Sequence, residues 1–120
     1  MNYEIKLVNG KTIAVIKDES ALIKDVQSAL DLIATISYES GAEAIVLLKE
    51  NITEDFFDLK TKIAGDILQK FTNYKMKLAV IGDFSNYTSK SLKDFIFESN
   101  KQGNILFLPT VQNALDVFGK

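Results

Sequence analysis

The stretch 76–99, MKLAVIGDFSNYTSKSLKDFIFES, carries most of the side chains with chemistry to offer. An apolar run ends in Gly82-Asp83. Ser85, Tyr87, Thr88, Ser89 and Lys90 follow, and apolar residues then return at helical spacing at Leu92, Phe95 and Ile96. Hydroxyls, a lysine and the free N–H groups of a helix start are the means to hold a phosphate or carboxylate. The plainer reading is a capped helix start, where Ser and Thr are common. Gly82 stands alone, and neither the Walker nor the dinucleotide-binding fingerprint is present.

Other residue types narrow the chemistry. Asp18, Asp55, Asp58 and Asp83 would bind Mg²⁺ if they converged. A phosphoacceptor receiver domain also places acids at strand ends, but it needs one directly after the central strand, and Lys49 stands there. Solvated caps and turn acids are the preferred reading, with no metal and no cofactor. Phe56-Phe57 sits in a run of acids, and adjacent aromatics on a helix cannot both face one core. At least one is expected in an apolar patch for a partner, unless both lie beneath the loop before the second helix. His and Cys are absent, which removes the usual general base, the commonest metal ligand, disulfides and thiolate sites. A nucleophile would have to be Ser, Thr, Asp or Lys, and no spacing selects a catalytic pair. All 14 basic residues are Lys and the net charge is −2, which disfavours nucleic acid. No apolar stretch approaches the roughly 18 residues of a membrane span. The opening residues are charged and alternating, so a cytoplasmic protein is expected.

These groups must be positioned by elements, and the pattern names them. Tyr3, Ile5 and Leu7 alternate as a half-buried strand, Asn9-Gly10 is a two-residue hairpin turn, and residues 12–16 return as a second strand. Val26, Ala29, Leu30 and Ile33 mark a helix stopped by Gly41. Ala44 to Leu48 is a strand buried on both faces. Thr53 with two acids reads as a helix start. Leu59, Ile63, Ala64, Ile67, Leu68 and Phe71 carry a helical stripe, either as one helix or as a short turn before a longer one. Gly65 inside it costs roughly 1 kcal/mol relative to Ala, which close packing on a sheet would explain. Lys77 to Ile81 is a fourth strand, residues 88–100 a third helix before Gly103, and Ile105 to Leu108 a fifth strand. Pro109-Thr110 opens a last helix, with Val111, Ala114, Leu115 and Phe118 on its buried face.

The order ββαβαβαβα predicts one α/β domain over residues 1–120, a mostly parallel five-stranded sheet with four main helices. The first strand is antiparallel and at or near an edge. The strand ends fall at Lys17/Asp18, Leu48/Lys49, Gly82/Asp83 and Leu108/Pro109. Glu50, Asp55, Asp58, Ser85, Thr88, Ser89, Lys90 and Thr110 are thereby expected along one rim, where such sheets gather ligands.

Several runs resemble a small bacterial family, the domain of unknown function 4180 family: Asp25-Val26-Gln27-Ser28-Ala29-Leu30-Asp31-Leu32, Glu54-Asp55-Phe56-Phe57-Asp58-Leu59, Ala64-Gly65-Asp66-Ile67-Leu68-Gln69-Lys70-Phe71, and the stretches from Gly82 to Leu92 and from Phe95 to Asn100. That name implies no function. The element order is also similar to that of STAS domains, the sulphate-transporter and anti-sigma-factor-antagonist fold, with its N-terminal hairpin and βα superhelix. In the antagonists a Ser opening the second helix, within Asp-Ser-Ser-Gly, is phosphorylated by a partner kinase. Here Asp58 matches, Thr61 is the hydroxyl, and Lys60 and Lys62 replace small residues. The resemblance implies a non-enzymatic regulatory module that binds another protein through the second helix start and residues 85–90. The alternative from a different class is a sensor or cryptic enzyme taking an anionic metabolite or nucleotide at that rim. A homodimer through the first strand or an apolar helix face is a third expectation.

Overall fold

Asn9 and Gly10 both take positive φ, 50° and 81°, and the tight turn they form folds β1 (Tyr3–Val8) back onto β2 (Lys11–Ile16). This is the turn geometry that matches strand twist. The computed structural model describes residues 1–120. After β2 come α1 (Val26–Ser40), β3 (Ala44–Leu48), α2 (Ile63–Asn73), β4 (Lys77–Ile81), α3 (Lys90–Gln102), β5 (Ile105–Leu108) and α4 (Val111–Phe118). The sheet order is β1-β2-β3-β4-β5. Only β1 and β2 are antiparallel, and every other pair is parallel. The fold is thus α/β with a mixed, mostly parallel five-stranded sheet and an N-terminal hairpin.

Strands that are neighbours in the chain are neighbours in the sheet. Crossovers of one hand then stack their helices on one face. The larger core lies on that face, where Ala14, Ile16, Ile45, Leu47, Leu78, Val80 and Phe107 meet the buried sides of α1, α2 and α3. The alternate residues, Ile13, Val15, Ala44, Val46, Ala79, Ile81 and Leu106, point to the other face. There α4 alone covers them, with Ala114, Leu115 and Phe118. Both faces of β3 and β4 are therefore buried, which is why these strands are continuous apolar runs.

The helix ends follow local chemistry. The Asp25 carboxylate accepts the Ser28 N–H at 2.8 Å, and Gly41 closes α1 in the left-handed region at φ 69°. Ser89 caps α3 and Thr110 caps α4 through their hydroxyl oxygens. The third helix therefore begins at Lys90, two residues later than its sequence suggests. No helix is long and apolar enough to cross a membrane.

Two expectations need correcting, and one open alternative is resolved. In β1, Tyr3 packs on the core but Ile5 and Leu7 are 42% and 72% exposed, because the helix layer does not reach over the edge strand. Of the two readings of the segment before α2, the turn before a longer helix holds, as a series of 3-10 turns, Lys49–Asn51, Glu54–Phe57 and Leu59–Thr61. Gly65 is not held by close packing: a Cβ built there meets no atom within 4 Å, and the residue faces solvent.

Candidate functional site

Leu48, Ile81 and Leu108 are register partners across β3, β4 and β5, so these strands end side by side. The Gly82 N–H donates to the Leu108 carbonyl at 3.0 Å and extends the alignment by one residue. Between β2 and β3 the shelf is closed by backbone. Ile23 and Ile52 form a parallel bridge, and the Thr53 N–H donates to the Ile23 carbonyl at 2.8 Å. Asn51 ties this corner. Fully buried, it accepts the Leu48 N–H at 2.8 Å and donates to the carbonyls of Asp18 and Ser20 at 2.9 and 2.8 Å. Its buried amide is thus satisfied, as burial demands.

The ionisable groups collect over β3 and β4. Lys49 leaves the tip of β3 with its stem lying on Gly82. A Cβ on Gly82 would come within 2.9 Å of the Lys49 Cβ, so the missing side chain makes room for the lysine. The Lys49 ammonium lies 5.1 Å from the centre of the Tyr87 ring and 5.6 Å from that of Phe57, and 3.4 Å from Glu54 Oε1. The Tyr87 hydroxyl donates to the other oxygen, Glu54 Oε2, at 2.6 Å. Tyr87 beside it holds Lys49 above its ordinary value of 10.5, with Glu54 adding to the effect and desolvation opposing it. Partial burial, helped by Glu54, pushes Tyr87 above its ordinary 10.0. At neutral pH the cluster is therefore an ammonium, a neutral phenol and the carboxylate that joins them.

Beneath these groups lies an aromatic layer. Phe57 stacks on Tyr87 at 5.3 Å, Phe84 on the same loop meets the Phe107 ring of β5 edge to face at 5.6 Å, and Phe56 meets Phe57 at 5.0 Å. Phe56 and Phe57 are both buried, so the surface patch expected at this pair is not formed. A 3-10 turn directs successive side chains differently from an α-helix, which lets both rings enter the core.

Of the predicted rim residues, Asp58, Asp83 and Ser89 line two open depressions. One is lined by Gly82, Asp83, Phe84, Phe107, Leu108 and Pro109. The other is lined by Phe57, Asp58, Leu59, Lys60, Ser89 and Ser91. Asp83 Oδ1 accepts the Ser85 N–H at 2.9 Å, and Ser85, more weakly joined by Lys49, holds this carboxyl below its ordinary 3.8. Asp58 and Ser89 share the second depression, each capping its own turn or helix. Lys90 pairs with Asp94 at 2.8 Å on α3, and Ser85 and Thr88 are exposed. Thr61 lies outside both depressions. Its hydroxyl donates to the carbonyls of Asp58 and Asp55 at 2.8 and 3.0 Å. Asp18, Asp55, Asp58 and Asp83 do not converge, and no three carboxylates come together as a metal site.

Lys49 and Glu54 were not legible as a pair. They are five residues apart, which matches no helical or strand period, and only the intervening 3-10 turns bring them together. Lys49 stood out in the sequence only for standing where a receiver domain would have an acid.

Fold and site together define an α/β domain with a polar rim over an aromatic base at the strand ends. The chain belongs to the family described as Domain of unknown function (DUF4180), whose model matches residues 8–118. No curated protein and no solved structure matches it.

Proposed function

We propose that the chain is a regulatory module that works by binding another protein, through the rim between the Leu59–Thr61 turn and residues 85–90. The aromatic layer carries this reading. Phe56, Phe57, Phe84 and Tyr87 fill the space over the strand ends, so the rim hydroxyls and Lys90 stand on a packed base rather than around a deep cleft. Shallow relief with a rigid aromatic backing suits a macromolecular contact. The engagement of Lys49 and Tyr87 by Glu54 supports it too, since each group's strongest partner is already inside the chain. In this reading Thr61 is the switch. A phosphate there would displace its hydroxyl from the two carbonyls it serves, adding about −1.5 to −2 charge between Lys60 and Lys62.

The test compares capture from cell lysate by the wild-type chain with capture by a Thr88→Arg, Lys90→Glu variant. A protein retained by the first and lost by the second is expected. Identical capture profiles would overturn the proposal. A thermal-shift panel of nucleotides and small acids separates the metabolite-sensor alternative. A ligand at about 100 times its dissociation constant would stabilise the chain by about 2.7 kcal/mol, and such a hit would favour that alternative.

A further inference from the structure

We infer that β1 is a self-pairing edge: two copies join antiparallel through it, about a twofold axis at Ile5, into one continuous sheet. The Asn2 carbonyl accepts the Lys17 N–H at 2.8 Å across the hairpin. Strand alternation then turns the backbone groups of Glu4, Lys6 and Val8 toward β2 and those of Tyr3, Ile5 and Leu7 toward the free edge. All six residues of β1 pair in unbroken register with β2, and the strand contains no proline. It therefore lacks the bulge or proline that commonly blunts an open edge.

Charge selects the register. Only pairings that bring Tyr3, Ile5 and Leu7 together satisfy the free edge. The one centred on Ile5 sets Ile5 against the partner's Ile5 and Tyr3 against the partner's Leu7. On the other face it sets Glu4 against the partner's Lys6, twice by symmetry. Shifting the centre to Glu4 opposes two glutamates, and shifting it to Lys6 opposes two lysines, both unfavourable across a strand pair. The favoured register also covers Ile5 and Leu7, the most exposed apolar side chains in the sheet. A surface that complements itself about a twofold axis is the requirement for a closed dimer. No rim residue takes part, so this inference and the proposed function stand or fall separately.

Sedimentation equilibrium over a concentration series tests it. The wild-type mass is expected to rise twofold from the 13.4 kDa of one chain. Ile5→Pro removes an N–H that serves no intrachain bond, and the variant is expected to stay at the single-chain mass. Glu4→Lys and Lys6→Glu are each expected to remain single, because each opposes like charges. Mixed together, the two variants are expected to restore the doubled mass, a result that general unfolding cannot produce. A wild-type mass that never rises would overturn the inference. So would a dimer that persists in both charge variants, or a mixture that stays single and leaves the edge to some other strand.

Discussion

Tyr87 and Lys49 show how a few half-buried groups set the behaviour of the rim. Both are held above their ordinary values, so the folded chain keeps their protons further into alkali than the unfolded chain does. Their contribution is complete below about pH 10 and is lost as pH rises through the folded values. Asp83 and Asp25 run the other way. Held below 3.8, they contribute above that pH and cease to as it falls further. The urea midpoint is expected to be level between these limits and to fall outside them. Tyr87→Phe should lower stability by roughly 1 kcal/mol, the worth of one partly solvated hydrogen bond, and make the alkaline fall shallower while leaving the acid fall unchanged. An alkaline limb of unchanged steepness would contradict this account. None of it was legible from residue order, because hydrogen bonds and charge pairs across turns have no period. The positions of Asp83, Ser85, Ser89 and Lys90 were legible, since they follow directly from where β4 ends and α3 begins.

Among the elements, the best-read ones have a single dominant cause. The strands Ala44–Leu48, Lys77–Ile81 and Ile105–Leu108 were plain because burial on both faces forces continuous apolar runs. Gly41 and Gly103 marked helix ends because left-handed backbone favours glycine. Residues 49–62 resisted because short 3-10 turns carry no lasting period and are shaped by where Phe56 and Phe57 pack. Gly65 is the opposite lesson. Sequence pattern predicted a packing reason and the structure supplies none. Gly65→Ala is therefore expected to stabilise the chain by about 0.5–1 kcal/mol, raising Tm by a few degrees. A lower Tm would mean that α2 needs the flexibility.

For the molecule as a whole, the two sides of the sheet are unequal. Three helices share one side, and the other depends on α4, whose C-terminal end is tied to the hairpin through the Asn9 side chain donating to the Gly119 carbonyl at 2.5 Å. Phe118 is the largest side chain that α4 buries there. Phe118→Ala is expected to cost about 3–5 kcal/mol, a large share of the stability of a domain this size, in urea unfolding. A loss under 1 kcal/mol would mean that the second core adds little. The order of manufacture gives this asymmetry a further meaning. Each βα unit can dock on its predecessor as it leaves the ribosome, but α4 comes after all five strands. Until it emerges, Ile13, Val15, Ala44 and Val46 form a bare greasy surface on the nascent chain. That interval is when the newborn protein is most open to chaperone capture or to sticking to its neighbours.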